Sequence, residues 1–139
     1  MSTSGYSGTP LPRKLGIAAG CRLALLGAPE GIEALLDPLP DGVRVMRRVA
    51  PELDVAVLFV DSAARLTRRL PAVRAAMTPA GGLWVAWPKR ASGVPTDVTE
   101  DVVRDAGLAA GLVDNKVCAI DATWSGLRLV TRRADRLRA

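Results

Sequence analysis

The side chains that could carry chemistry in this chain are defined first by one that is missing. None of its 139 residues is histidine, which rules out a Ser-His-Asp triad, a Cys-His dyad, an imidazole general base and any histidine-ligated zinc. The remaining candidates are the carboxylates of Asp61, Asp97, Glu100, Asp101 and Asp121 and the amines of Lys89 and Lys116. No two of them have a spacing that demands acid–base work. Asp97, Glu100 and Asp101 fall where a helix is expected to begin, and the helix dipole alone favours acids there. Cys21 and Cys118 are far apart and lack a C-x-x-C pattern, so they indicate neither a zinc ribbon nor a redox pair. Apolar neighbours make both read as buried structural thiols. No catalytic residue and no metal ligand is assigned.

Binding is better represented than catalysis. Lys89, Arg90, Ser92, Gly93 and Thr96 bring cations, hydroxyls and bare backbone together just before the expected helix, a combination that suits a phosphate or carboxylate. The same segment also reads as a solvated connection in which Asp97 caps the helix and repels an anion. Gly27-Ala28-Pro29-Glu30-Gly31, with Gly27, Pro29 and Gly31 as candidate contacts, is either a shallow phosphate or nucleoside loop or a tight strand-to-helix turn. At Trp124 and Ser125, an exposed indole would mark a partner surface or stacking site, whereas an indole folded onto the sheet would mark a plain turn.

These groups need a scaffold, and the hydrophobic pattern supplies one. Residues 10–17 suggest one or two helical turns ending at Gly16. Residues 22–26 read as a buried strand, 32–36 as a short helix and 43–47 as a strand with one wet side. Residues 54–60 are the clearest strand, apolar throughout as in a sheet covered on both faces. After Asp61-Ser62, an expected helix cap, Leu66, Leu70, Val73 and Met77 recur at helical spacing, with a kink or break predicted at Pro71. Residues 78–82 are expected to turn into a strand, 83–87, whose alternation sends Trp84 and Trp87 to opposite faces. Asp97 with Glu100 resembles a capping box for a helix ending near Gly111. Residues 116–120 and 127–130 then flank a turn at 122–126 as an antiparallel hairpin. The fold expected is a three-layer, doubly wound α/β domain: a mostly parallel sheet with a C-terminal antiparallel hairpin. Ligands in such sheets sit beyond the carboxyl ends of the strands, where residues 27–31, Arg47-Arg48, Asp61-Ser62 and residues 88–96 converge.

A composition of 49% hydrophobic and 24% charged residues suits one folded domain. It is expected over residues 10–132, between a flexible tail at 1–9 and a basic tail at 133–139. Arg128, Arg132, Arg133, Arg136 and Arg138 against Asp135 supply most of the net charge of +5, and aromatic residues are only 4%. A nucleic-acid surface would spread its basic groups and, for single strands, interleave stacking rings, so nucleic acid is not an expected partner. No apolar run nears the ~20 residues of a membrane span and no secretory leader is visible. A cytoplasmic, soluble protein of undetermined oligomeric state is expected.

The strand at 54–60, the helix after it, Thr78-Pro79-Ala80-Gly81-Gly82-Leu83-Trp84-Val85, a further helix and the closing hairpin resemble the second half of the class I methyltransferase fold. That family places S-adenosylmethionine over a G-x-G-x-G turn after the first strand and holds its ribose with an acid after the second. Here Gly27 and Gly31 keep the outer spacing, but Pro29 stands in the middle and Arg47-Arg48 replaces the acid. The resemblance therefore implies a reduced version of the fold without that cofactor. The segments Thr9 to Ile17, Leu83 to Lys89, Gly93 to Asp101 and Trp124 to Arg128 also resemble a bacterial family of uncharacterised domains, which implies no activity. The expected function is a non-catalytic binding or regulatory module for a small anionic metabolite or nucleotide, or for a protein partner. The alternatives are a small enzyme working through carboxylates and Lys89, and a structural subunit of a larger assembly.

Overall fold

Three apolar runs form the middle of the sheet in the computed structural model, which describes residues 9–136. They are β1 (Arg22–Leu26), β3 (Leu53–Phe59) and β4 (Met77–Pro88). A short edge strand, β2 (Arg44–Met46), and the pair β5 (Leu112–Ala119) and β6 (Trp124–Thr131) complete six strands in the order β2-β1-β3-β4-β6-β5. The first four run parallel, and β6 is antiparallel to both β4 and β5. This is the mostly parallel α/β sheet with an antiparallel hairpin that the pattern predicts. Strand order reverses between β1 and β3. The tail expected at residues 1–9 lies, except for Thr9, outside the described residues, as do residues 137–139; Arg133–Arg136 forms a helical turn, α5.

Alternation along the strands divides the core into two layers. Leu58, Leu83, Val85, Trp87, Leu127 and Leu129 face α3 (Ala63–Ala76) and α4 (Glu100–Ala109), which contribute Leu66, Leu70, Val73 and Val103. Leu23, Leu25, Val57, Phe59, Trp84 and Ile120 face the thinner layer, built from α1 (Leu11–Lys14), α2 (Ile32–Leu35) and the segments joining them. Trp84 and Trp87 thus take opposite faces, as their spacing predicts. Trp84 is fully buried, and its indole N–H donates to the Leu15 carbonyl at 2.9 Å. That bond fastens the N-terminal segment to the centre of the sheet.

Several local expectations need correction. Helix α3 runs unbroken through Pro71, because Leu66, Leu70 and Val73 are buried on one side and hold it to the sheet against the loss of one backbone bond. Helix α4 begins at Glu100 rather than Asp97, with the Thr99 hydroxyl accepting from Val102 N–H at 3.2 Å. Residues 78–82 belong to β4, but the register steps five positions along β4, from Met77 to Gly82, for two along β3, from Leu53 to Val55, so Thr78 to Gly81 bulge out of the ladder. The hairpin turn falls at residues 120–123, and Trp124 to Gly126 already pair in β6.

Both cysteines are free thiols. Burial pushes the Cys21 thiol above its ordinary value of 9.0, and the nearby Asp54 charge adds to the rise. Cys118, expected to be buried, is only half-buried on β5; partial burial still pushes its thiol up, outweighing Lys14 and Lys89. A folded value above the unfolded one means that the native state holds the thiol protons more tightly. The associated stability is complete below the unfolded value and declines as pH rises past it. Two outcomes are expected. A thiolate-specific disulfide reagent should modify the native protein at pH 8 more slowly than the urea-unfolded chain, by an order of magnitude or more at Cys21; equal rates would contradict the burial. Trp84→Phe should lower stability by about 2 to 4 kcal/mol, combining a stranded Leu15 carbonyl with a smaller ring, read as a lower urea midpoint at unchanged slope.

Candidate functional site

The carboxyl ends of β1, β3 and β4 lie side by side in the parallel register Leu26–Leu58 and Phe59–Ala86. Beyond β4 the chain does not leave as a free loop. Lys89 N–H donates to the Thr123 carbonyl and the Lys89 ammonium to the Asp121 carbonyl, both at 2.7 Å, so one residue clamps the β5–β6 turn twice. A single 3-10 turn, Arg90–Ser92, follows. The Ser92 hydroxyl donates to the Lys89 carbonyl at 2.6 Å and accepts from Val94 N–H at 3.2 Å, and Gly93 turns the chain at a φ of +78°. Thr96 then donates to the Asp61 carbonyl at 2.7 Å and accepts from Val98 N–H at 3.0 Å. Asp97 accepts from Ala63 N–H at 2.8 Å, which makes it a partner of Ser62 at the start of α3 rather than the cap of α4.

Between this fastened segment and α4 opens a cleft of about 510 Å³. Buried Trp87 forms its apolar floor, and Lys89, Arg90, Gly93, Thr96, Thr99 and Ser125 are among its walls. Four of the ligand-binding residues predicted from sequence, Lys89, Arg90, Gly93 and Thr96, come together here. Ser125, predicted at a partner surface, joins them through its ladder pairing with Trp87. Ser92 is not on the wall and instead shapes the turn. Glu100 also lines the cleft, but its carboxylate pairs with Arg104, which also reaches Asp101 at 2.8 Å and Asp114 at 3.3 Å. Hydrogen bonds to Glu100 and then Asp114 push Arg104 above its ordinary value.

Gly27, Pro29 and Gly31 form a separate site candidate. A Cβ on Gly27 would stand 3.0 Å from the Phe59 carbonyl, so only glycine lets the β1 turn approach β3 this closely. The carbonyls of Pro29 and Gly31 accept from Ile32 and Ala34 N–H, starting α2. Arg47, following β2, forms an ion pair with Glu33 of α2. Trp124 does not stand out from a turn: it is half-buried, its ring edge-on to Phe59 at a centroid distance of 5.0 Å. Packing against a buried phenyl outweighs exposure of an indole.

Sequence reasoning missed Thr99, Glu100 and Trp87 as neighbours of Lys89 and Arg90. The Asp97-x-x-Glu100 pattern pointed to the wrong cap, and its competitor, Thr99 directly before two acids, was the available signal. Trp87 carries no local mark of a cleft floor.

Residues 47–133 match the family described as "Protein of unknown function (DUF3052)". Among solved structures, a SAM-dependent methyltransferase from Aquifex aeolicus is similar with a TM-score of 0.65 at 12% identity, over 84% of this chain and 85% of that one. The pyocyanin biosynthetic protein PhzM is similar at 0.64 and 16% identity, over 87% of this chain and 53% of that one. The mitomycin 7-O-methyltransferase MmcR reaches 0.62 at 14% identity, over 81% and 49%. The chain therefore spans about half the length of the last two. The likeness is one of fold, a methyltransferase-like α/β sheet. No curated protein matches the sequence.

If Lys89 serves the turn through its ammonium, Lys89→Met, which keeps most of the stem, should destabilise the protein by about 1 to 2 kcal/mol. That is toward the lower part of the range for a charged donor because the turn is partly solvated. A thermal melt unchanged from the parent would show that the clamp contributes nothing.

Proposed function

The chain belongs to the DUF3052 family, and we propose that it is a binding domain that holds a small anionic ligand, a phosphorylated or carboxylated metabolite or nucleotide, in the cleft beside Arg90 without transforming it. One observation carries this reading: the side chains around the cleft that could do acid–base work are occupied in holding the backbone or in ion pairs. The Lys89 ammonium is on the Asp121 carbonyl, Asp97 on Ala63 N–H, Asp121 on Thr123 and Trp124 N–H, and Glu100 on Arg104. A general acid or base needs a proton-exchanging group free to meet substrate. The wall retains the exposed Arg90 guanidinium, the Ser125 hydroxyl and the remaining donor capacity of Lys89, which is the chemistry of anion recognition.

S-adenosylmethionine, the cofactor of proteins with this fold, does not fit the residues present. The position after β2 carries Arg47 in an ion pair with Glu33, where an acid would have to meet ribose hydroxyls. The turn after β1 has Pro29 where bare backbone would have to approach the cofactor. These two departures support a domain that keeps the sheet and has lost the methyl donor's site.

The test is native mass spectrometry of freshly purified protein, followed by titration with AMP, ADP, inorganic phosphate and S-adenosylhomocysteine. A co-purified anionic mass, or saturable binding of a nucleotide or phosphate weakened about tenfold by Arg90→Ala, about 1.4 kcal/mol, is the expected result. Tight binding of S-adenosylhomocysteine, chemical conversion of a bound probe, or binding indifferent to Arg90→Ala would overturn the proposal.

A further inference from the structure

A second cleft, of about 380 Å³, lies at the opposite, amino-terminal end of the parallel strands, lined by Gly16, Cys21, Asp54, Thr78, Gly81 and Arg128 among others. Arg128 interrupts an otherwise apolar stretch of β6 and is half-buried. Its guanidinium lies across the bare backbone of Gly82: a Cβ there would collide with Nε and stand 2.7 Å from Nη2. Beside it, a Cβ on Gly81 would stand 2.8 Å from the Leu53 carbonyl. Gly82 is therefore the surface on which the guanidinium rests, and Gly81, on the cleft wall, keeps β4 close to the β3 backbone.

Other partly buried arginines show what Arg128 lacks. Arg22 donates twice to the Pro51 carbonyl, and Arg104 meets three carboxylates. Arg128 has no hydrogen-bonding or ionic partner within the described structure. Burial first, and then the charge of Arg136, hold it below the ordinary arginine value. Taking a guanidinium partly out of water without a partner is costly, and the planar fork it presents matches a carboxylate in bidentate fashion. Asp54 lines the same cleft with one oxygen on Arg22 N–H at 2.9 Å and forms no ion pair with Arg128. A second negative charge in so small a space disfavours a dianion such as phosphate and leaves room for a singly charged group.

We infer that this cleft is a second ligand site, in which Arg128, resting on Gly82, takes the carboxylate of a small molecule beside Gly81 and Thr78. It is independent of the cleft beside Arg90, at the other end of the sheet.

The experiment is NMR titration of the full chain with acetate and, separately, inorganic phosphate, following the Arg128 Nε–H signal and the amides of Thr78, Gly81 and Gly82. Acetate should shift these signals saturably at millimolar concentration, with phosphate weaker. Arg128→Met should abolish the response while melting at or above the parent temperature, since it removes a charge with no partner. Arg128→Lys, lacking the fork, should bind at least several-fold more weakly, and Arg90→Ala should leave the response intact. Phosphate binding more tightly than acetate would overturn the carboxylate assignment. No shift with either probe, or a clear fall in the melting temperature of Arg128→Met, would assign Arg128 a packing role instead.

Discussion

Strands β3 and β4 are buried on both faces, and every other element has to satisfy the requirement that each face be covered. One face receives α3 and α4, two helices of 14 and 10 residues. The other has only one-turn helices and connecting segments, and Trp84 supplies the bulk that those short pieces lack. Burying its indole is favourable only if the N–H finds an acceptor, and the acceptor is Leu15, just past the end of α1. The N-terminal segment is thereby part of the core, and the neighbours of the ring are set by it. Gly126 of β6 lets the ring pack closely, since a Cβ there would stand 3.1 Å from the Trp84 ring and push it aside by a few tenths of an ångström. Phe59 and Trp124 then close the same layer at its carboxyl end.

Polar side chains are used differently at the two ends of this sheet. At the carboxyl end Lys89, Ser92, Thr96, Asp97 and Asp121 each spend a side-chain bond on backbone groups, lacing the β3–α3, β4–α4 and β5–β6 connections together. The result is a cleft wall fastened by side chains of residue types that elsewhere perform catalysis. At the amino end Arg128 lies over the bare backbone of Gly82 at the rim of a cleft, and nothing in the described chain fills its donor capacity. The sheet is shared with methyltransferases at 12–16% identity, and a shared fold does not by itself carry an activity.

Much of the architecture was legible because it depends on patterns within a few residues. Continuous apolar runs marked the buried strands, four-and-three spacing marked α3, and alternation sent Trp84 and Trp87 to opposite layers. The readings that failed were those in which a contact with another element overrode a local signal. Asp97 read as the cap of α4, but it is drawn to Ala63 on another element and Thr99 caps the helix instead. Pro71 read as a breaker, but three buried side chains hold α3 in place despite it.

By itself the sequence determined the fold class, the absence of imidazole chemistry and the grouping of Lys89, Arg90, Gly93 and Thr96 on one connection, since all three follow from composition and near-neighbour spacing. Only the tertiary structure decided what those groups do. Whether an ammonium is free or clamped to a carbonyl 32 residues away, and whether an arginine in a strand meets a partner or an open cleft, depends on which distant backbone atoms packing brings alongside. That information is carried by the register of the sheet, in which β6 returns between β4 and β5, and no local spacing encodes it.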